Sequence, residues 1–335
     1  MPRSGPTLDP PPVFLYFDPH PVHEKMASHV GAEMVQCETG GPAARIAAGR
    51  RHDFGDRPVV LEGGVPLVEG TALKLLGTSG PVVALGADST YHDLVDPLPN
   101  QTRASRAAHR IAQRFVDGTL AVSERIATIA ERVTDAPVRI AHPFVEAERY
   151  DALGSLSPTV DGSTVLCVGK YREKNGQDLL RTAVEHVDAP ITVDFVGPDT
   201  ERIAESDAVR THGFVSETRL IDLYDEAALV VFPALAGAFP VTTLEALCAA
   251  TPVVTTPAVG TATLVRGVHG RLLADPDPAA VAEAIDWFFS LPTADRRTLA
   301  TTARGYGTGF AEEPGLEAFA YQLRRLLSDI GSHHD

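Results

Sequence analysis

Residues 229–254, LVVFPALAGAFPVTTLEALCAATPVV, contain the pattern that decides the fold. The apolar run Leu229–Phe232 predicts a buried strand, and a loop of small residues leads from it into a helix that begins near Pro240, read as the first helical residue. Pro252 then precedes a second apolar run, so the order is strand, helix, strand. This order is typical of a doubly wound parallel sheet, where ligands bind beyond the carboxyl ends of the strands.

The start of this helix predicts an anion site. The first amides of a helix have no intrahelical partner, and the helix dipole favours a negative group beside them. The amides concerned belong to Val241, Thr242 and Thr243. Glu245 lies about one turn further along, where a carboxylate can accept both hydroxyls of a ribose. The segment therefore predicts a site for a nucleoside diphosphate.

The same segment resembles the signature of the family 4 glycosyltransferases, P-S-x-x-E-G-F-G-x-x-x-x-E-A followed by G-x-P-V-V. The matching residues are Pro233, Phe239, Glu245, Ala246, Pro252, Val253 and Val254. Pro240 replaces a glycine, and Gly237 stands where the family has the first glutamate of its Glu-x7-Glu pair. The resemblance implies that Glu245 contacts the ribose of the donor nucleotide. Gly237 has no side chain that could make the sugar contact of the first glutamate. The loop of small residues that contains Gly237, together with Phe239 and Pro240, is still expected to belong to the donor site.

A second segment, residues 165–180 (VLCVGKYREKNGQDLL), resembles the strand, loop and helix that open the second domain of this family. Gly169 allows close backbone approach, Lys170 replaces the usual arginine, and Lys174 or its neighbour Asn175 falls at the usual lysine. The resemblance implies that both lysines neutralise the diphosphate leaving group. Two of the four lysines of the chain lie in this one loop. The alternative is a solvated surface turn.

The next family elements resemble residues 193–198 (VDFVGP) and 210–224 (RTHGFVSETRLIDLY). The resemblance implies that Gly197 belongs to the donor site. It also implies that Gly213, Phe214 and Val215 line the nucleobase pocket through backbone groups.

The length of 335 residues indicates two domains. Residues 152–163, ALGSLSPTVDGS, predict a linker, so we place the boundary near Pro158. The expected fold class is α/β and GT-B-type, with two Rossmann-like parallel-sheet domains that face a cleft. Residues 1–157 would bind the acceptor and residues 158–335 the donor. The last helix is expected either to stay with the second domain or to pack back on the first.

Strands and helices alternate through the first half of the chain, which predicts a parallel sheet with crossover helices. The predicted strands are 13–17, 58–61, 81–85, 118–122 and 138–141, and the predicted helices are 21–30, 68–76, 103–115 and 123–134. Ser123 is interpreted as a helix cap within a stretch that resembles the last strand and helix of the family's first domain.

The acceptor side of the resemblance is weaker, because FDPHPVHEK follows the first strand in place of a Gly-rich turn. His92, just beyond the strand 81–85, is the best candidate for the histidine that faces the sugar in the family, and Asp88 is the second. With 12 histidines in the chain, a bystander is the competing interpretation.

Composition indicates habitat and excludes some partners. The formal net charge is −15, with 44 acidic residues, and arginine greatly exceeds lysine. This favours solubility in concentrated salt and suggests a haloarchaeal source, the alternative being an acidic bacterial protein from a high-GC genome. Nucleic acid is not expected as a partner. The three cysteines form no metal pattern, and no cofactor or metal is expected. No apolar segment has signal or transmembrane character, so we expect a cytoplasmic protein.

Four arginines recur at helical spacing in this acidic chain. They are Arg103, Arg106, Arg110 and Arg114, and they share one face of the predicted helix. Such a stripe is usually solvated or paired with carboxylates. The functional alternative is peripheral contact with an anionic lipid headgroup, or with a lipid-linked phosphate acceptor, at the inner face of the membrane.

The sequence thus predicts a glycosyltransferase that moves a hexose from a nucleoside diphosphate sugar to a glycan or lipid-linked acceptor, in assembly of cell-surface or glycoprotein glycans. By analogy with family 4, the reaction would retain the anomeric configuration and need no bound metal. One alternative is a nucleotide-binding partner protein that lost transfer when the glutamate became Gly237. Epimerisation or phosphorolysis on the same scaffold is another, but the carboxylate constellation that an epimerase needs is not found.

Overall fold

The computed structural model describes residues 8–37, 40–75, 80–98 and 101–332. The chain divides into two compact units. The first comprises the residues up to Pro143 together with those from Glu313 onwards, and the second comprises Phe144–Glu312. Each unit is built on a parallel sheet, as the strand and helix alternation of the sequence predicts.

The first unit has a six-stranded sheet in the order β2-β1-β3-β4-β5-β6, and all of its strand pairs are parallel. Its strands are β1 (Val13–Tyr16), β2 (Glu33–Gln36), β3 (Val59–Glu62), β4 (Val82–Gly86), β5 (Gly118–Ala121) and β6 (Val138–Ile140). Its helices are α1 (Pro21–His29), α2 (Pro42–Gly49), α3 (Gly64–Leu75), α4 (Thr90–Val95), α5 (Arg103–Ala112) and α6 (Glu124–Val133).

The second unit has a five-stranded parallel sheet in the order β11-β10-β7-β8-β9. Its strands are β7 (Thr164–Val168), β8 (Thr192–Val196), β9 (Val209–Thr211), β10 (Leu229–Phe232) and β11 (Val253–Thr255). Its helices are α7 (Ala147–Ser155), α8 (Gln177–Ala183), α9 (Glu217–Glu226), α10 (Val241–Cys248), α11 (Ala262–Val268), α12 (Pro278–Ser290) and α13 (Thr293–Gly307). The last helix of the chain, α14 (Glu312–Ser332), begins at the end of this unit.

The strands predicted from apolar runs are present because parallel strands are buried on both faces. β10, for example, is buried along its whole length. The sequence missed β2, whose residues run exposed, half-buried, half-buried, exposed at the edge of the first sheet. Only two apolar residues occur in that strand, too few to form a recognisable run. Ser123 caps α6 as predicted, since its hydroxyl accepts a hydrogen bond from the amide of Ile126 at 3.2 Å.

The division between the units lies at Pro143, before α7, and not at the predicted 157/158. The cause is the packing of α7, which includes the first residues, 152–155, of the predicted linker 152–163. Its Arg149 forms ion pairs with Glu217 and Glu245, both of the second unit. Composition identified the loop after α7, but it could not tell which sheet the helix joins.

The C-terminal helix α14 packs in the first unit from Glu313 onwards. The ring of Phe319 lies 6.1 Å from that of Phe14 on β1, and Asp329 accepts a 2.7 Å hydrogen bond from Arg139 on β6. No helix in the described ranges is long and apolar enough to cross a membrane. The three cysteines are buried and unpaired, and burial raises the pKa of Cys167 and Cys248 to about 12.

Candidate functional site

The candidate site lies at the carboxyl edge of the second sheet. β7 is the first strand of this sheet along the chain, and it lies between β8 on one side and β10 on the other. The connections after β7 and β10 therefore leave neighbouring strand ends in opposite directions, which is the point where doubly wound sheets bind ligands. The two motifs found in the sequence are the loops that follow these two strands.

These two loops contact each other directly. The amides of Leu235 and Ala236 donate to the carbonyl of Lys174 at 2.8 and 3.4 Å. Gly176, with φ +74°, allows this approach, because a Cβ there would lie 2.1 Å from the carbonyl oxygen of Pro233. Any side chain at Gly176 would push the loops apart. Motifs about 60 residues apart in the sequence thus form one structure.

The loop after β8 joins the same edge. Gly197 has φ +131°, and a Cβ on it would lie 2.5 Å from the carbonyl oxygen of Gly169. Its amide donates to the carbonyl of Gly213 at 2.7 Å, which ties the predicted nucleobase loop to the sheet edge. Beyond that glycine, Val215 is half-buried, whereas the side chain of Phe214 is 80% exposed. A ring so accessible to solvent can stack on a planar ligand.

The two predicted cations, Lys170 and Lys174, lie in the loop after β7. The Lys170 ammonium lies 3.6 Å from the Asp199 carboxylate, with both side chains about half exposed. Such a pair contributes little to stability, so Lys170 can exchange its partner for a ligand at little cost. Asn175 shapes the loop by donating from its side-chain amide to the Lys170 carbonyl at 2.8 Å. The contact of Lys170 and Lys174 with a diphosphate stays a prediction.

The start of α10 differs from the predicted one. Pro240 is the N-cap, with φ −60° and ψ 116°, and the helix begins at Val241. The Thr243 amide donates to the Pro240 carbonyl at 3.1 Å, so it is not available to an anion as predicted. The buried Thr243 hydroxyl lies 3.2 Å from that of Thr261. Of the three amides predicted to face an anion, only those of Val241 and Thr242 keep that prediction.

Glu245 lies in the second turn of α10 and is 3% exposed. Its Oε1 accepts a 2.6 Å hydrogen bond from Nη1 of Arg149, and its Oε2 accepts a 3.0 Å hydrogen bond from the Tyr224 hydroxyl. Burial, followed by the Glu245 carboxylate, raises the pKa of Tyr224 well above its usual value. The tyrosine therefore stays protonated and remains a donor.

Arg149 also reaches a second carboxylate, that of Glu217. Its Nε donates to Glu217 at 2.6 Å, and its Nη2 donates to the other oxygen of the same carboxylate. The hydrogen bond to Glu217, followed by the charge of Glu245, raises the pKa of Arg149, and the same hydrogen bond lowers the pKa of Glu217. No pattern in the sequence pointed to Arg149, which lies on α7 outside every recognised motif.

The position of the missing glutamate is closely packed. The Gly237 carbonyl accepts a 2.9 Å hydrogen bond from the Gly260 amide. A Cβ at Gly237 would lie 3.0 Å from Cγ of Pro240 and 3.2 Å from Cγ1 of Val259. A side chain fits there only if these neighbours move by a few tenths of an ångström. The buried ring of Phe239, two residues on, lies 5.8 Å from that of Phe310.

In the first unit, the two acceptor-side candidates have protein partners. Asp88 accepts 2.9 Å hydrogen bonds from the amides of Gly64 and Thr90, at the starts of α3 and α4. His92 is 3% exposed, and its Nδ1 lies 3.1 Å from Nη2 of Arg125. Asp88 thus has a structural task, since it accepts hydrogen bonds from the first amides of two helices. Catalytic roles for both residues stay predictions.

Comparison with known proteins shows which proteins this part of the chain resembles. Residues 162–290 match the model of the "Glycosyl transferases group 1". This range contains the five strands of the second sheet, the loops after β7, β8 and β10, and Glu245. D-inositol 3-phosphate glycosyltransferase 1 of Catenulispora acidiphila is 30% identical over 73% of this chain. D-inositol 3-phosphate glycosyltransferase of Mycobacterium leprae is 25% identical over 79% of it. The chain spans 64% and 65% of the length of these two relatives.

Solved structures show the same fold. HepE from Anabaena, in complex with UDP and glucose, has a TM-score of 0.69 with 17% identity, over 93% of this chain and 99% of that one. Sucrose-phosphate synthase from Thermosynechococcus elongatus has a TM-score of 0.70 with 17% identity, over 88% of this chain and 84% of that one. The predicted fold class, two Rossmann-like parallel-sheet domains of the GT-B type, is confirmed at the level of the fold.

Proposed function

We propose that this chain, whose residues 162–290 match the model of the group 1 glycosyl transferases, transfers a hexose from a nucleoside diphosphate sugar to a glycan or lipid-linked acceptor. The observation that supports this most is the joining of the loops after β7 and β10 at one sheet edge, where the second loop leads into α10, the helix that carries Glu245. The names of its relatives, glycosyltransferases that act on an inositol phosphate, favour transfer to a hydroxyl acceptor.

Each part of the site has a task in this reaction. The amides of Val241 and Thr242 face the diphosphate, and the Glu245 carboxylate accepts the ribose hydroxyls. The ammonium groups of Lys170 and Lys174 stabilise the charge that develops on the departing diphosphate. With two lysines in this role we expect no need for a metal ion. By analogy with family 4, the anomeric configuration is retained.

The setting of the reaction is proposed from composition. A net charge of −15 favours solubility in concentrated salt and supports a halophilic, haloarchaeal source. We propose a cytoplasmic enzyme that takes part in assembly of cell-surface or glycoprotein glycans.

The test of transfer is release of nucleoside diphosphate from a panel of UDP- and GDP-hexoses by the purified chain. The assay is run in about 1 M KCl, where the Debye length of about 3 Å screens self-repulsion of the acidic surface. Release that depends on one donor supports the proposal. Binding of a nucleoside diphosphate without release from any donor would favour the alternative, a catalytically impaired partner protein, which Gly237 supports.

Gly237→Glu separates an adapted enzyme from a decayed one. If the loop is built around backbone contacts, a side chain 3.0 Å from Pro240 and 3.2 Å from Val259 will displace it. Overpacking of this kind typically costs about 1–3 kcal/mol, so we expect activity to fall about tenfold or more. Wild type and variant are assayed side by side on the same donors. Activity that arises in the variant and is absent from the wild type would contradict the proposal.

We also propose that the arginine stripe on α5 binds anionic lipid headgroups. Arg103 and Arg114 are exposed, Arg110 donates to the Leu94 carbonyl at 2.9 Å, and the four arginines line a surface groove with the exposed Ile111. In residues 8–37, 40–75, 80–98 and 101–332, no carboxylate forms an ion pair with any of the four. A basic stripe that lies beside an apolar side chain, with no carboxylate partner in the described part of the chain, suits a lipid surface.

Changing both Arg103 and Arg114 to Gln should weaken binding to anionic vesicles about tenfold or more, because each arginine near such a surface contributes about 1 kcal/mol. Sedimentation with phosphatidylglycerol vesicles at about 0.1 M KCl measures this, with phosphatidylcholine vesicles as the blank. The matched control changes Arg271 and Arg297, two exposed arginines of the second unit, to Gln. Equal binding by both double variants would rule out a specific role of the stripe.

A further inference from the structure

A continuous polar network joins three helices of the second unit. It runs from Glu217 at the start of α9 to Arg149 on α7, from there to Glu245 on α10, and back to Tyr224 on α9. Arg149 is separated in the sequence by 68 residues from Glu217 and by 96 residues from Glu245. Arg149 precedes residue 162, so it lies outside the part of the chain that matches the family model.

The guanidinium of Arg149 is fixed in its plane. Nε and Nη2 donate to the two oxygens of Glu217, which leaves Nη1 to donate to Oε1 of Glu245 at 2.6 Å. A paired, planar contact of this kind sets direction as well as charge. Lysine could supply the charge but not the fork, because its ammonium is a point charge on a flexible stem.

The Glu245 carboxylate is held from two sides. Arg149 donates to one oxygen and Tyr224 to the other, at 2.6 and 3.0 Å. A carboxylate has about four acceptor positions, so about two remain after these contacts, one on each oxygen. Two parallel acceptors are what the adjacent 2′ and 3′ hydroxyls of a ribose require.

We propose that Arg149 is a positioning residue that holds the Glu245 carboxylate oriented for the ribose hydroxyls of the donor. The inference rests on the proposed function, since it assigns Glu245 to the donor ribose. Arg149 itself has no contact with the ligand in this account. Arg149 acts on the donor only by orienting the Glu245 carboxylate. Its loss should therefore reduce the preference of the site for ribose over deoxyribose.

The experiment compares a nucleoside diphosphate with its 2′-deoxy form by calorimetry. UDP, GDP and ADP are screened on the wild type, and the tightest binder is paired with dUDP, dGDP or dADP accordingly. The wild type should prefer the ribose form about tenfold or more, because a site built for a hydroxyl leaves polar groups unpaired when it is missing. In Arg149→Met this preference should fall to about twofold or less. A ratio of affinities is used because a general loss of folded protein would lower both equally.

Arg219→Met is the matched control. Arg219 and Glu226 both lie on α9, and Arg219 donates to Glu226 at 2.8 Å. The variant therefore removes an arginine–glutamate pair that makes no contact with Glu245. Its ribose preference should equal that of the wild type. Arg149→Lys should give an intermediate ratio, since it keeps the charge and loses the fork.

The outcomes separate the two claims. If the wild type binds none of the three diphosphates, the proposed donor site fails, and the role of Arg149 fails with it. If the wild type shows the preference and Arg149→Met keeps it, the positioning role is overturned while the donor site stands. Should Arg149→Met not fold, Arg149→Lys decides, and a wild-type ratio in that variant would overturn the proposal.

Discussion

Replacing Glu245 with Gln is expected to lower the affinity for nucleoside diphosphates at least about tenfold. A hydrogen bond to a charged group contributes about 1.5–3 kcal/mol, and the amide keeps the shape of the side chain while it removes the charge and one acceptor. Calorimetry with UDP, GDP and ADP measures the change. A folded Gln variant that binds as tightly as the wild type would contradict the assignment of Glu245 to the ribose.

The alanine variant adds a second effect that the sequence did not predict. From the motif alone, Glu245 matters for affinity more than for stability. In the structure it is buried and accepts hydrogen bonds from Arg149 and Tyr224, so Glu245→Ala leaves both donors without this partner. Loss of a buried acceptor costs about 1–3 kcal/mol, and we therefore expect a lower melting temperature as well as weaker binding. Glu245→Gln is the cleaner variant for binding for this reason.

The second large effect is expected from the loop cations. Replacing Lys170 and Lys174 with Ala together should lower kcat by about 10² or more, which is the scale on which removal of a single transition-state donor acts. The effect on stability should be small at Lys170, because its ion pair with Asp199 is half exposed. The measurement is steady-state kinetics on the donor that the wild type uses. Acceptor KM should change far less than kcat.

Lys25→Ala is the control for this pair, since it removes a lysine on α1 of the first unit. It should keep the kinetics of the wild type. If the double variant also keeps wild-type turnover, the loop after β7 is only a solvated surface turn, which is the alternative that the sequence left open.

The sequence predicted what depends on local burial and on turn chemistry. β7 and β10 are short apolar runs buried on both faces. Gly169, predicted to allow close backbone approach, lies where a Cβ on Gly197 would come within 2.5 Å of its carbonyl oxygen. These features are encoded next to one another in the chain. The fold class and the meeting of the motif loops at one sheet edge follow from them.

Features that depend on distant packing were not predictable in this way. Arg149 meets Glu245 only because α7 packs with α9 and α10. The same packing moves the division between the units to Pro143. The amide of Thr243 was assigned to the anion site from the helix position, but the backbone of Pro240 turns its own carbonyl towards it. β2 was missed because an edge strand has little apolar sequence.

The central claim is that the donor nucleotide binds at the carboxyl edge of the second sheet. Hydrogen–deuterium exchange of the chain with and without the tightest-binding nucleoside diphosphate tests this most directly. We predict slower exchange at residues 169–176, 197–201 and 233–245, the segments that follow β7, β8 and β10. Saturating binding with unchanged exchange in all three segments, or protection confined to the first unit, would contradict the account.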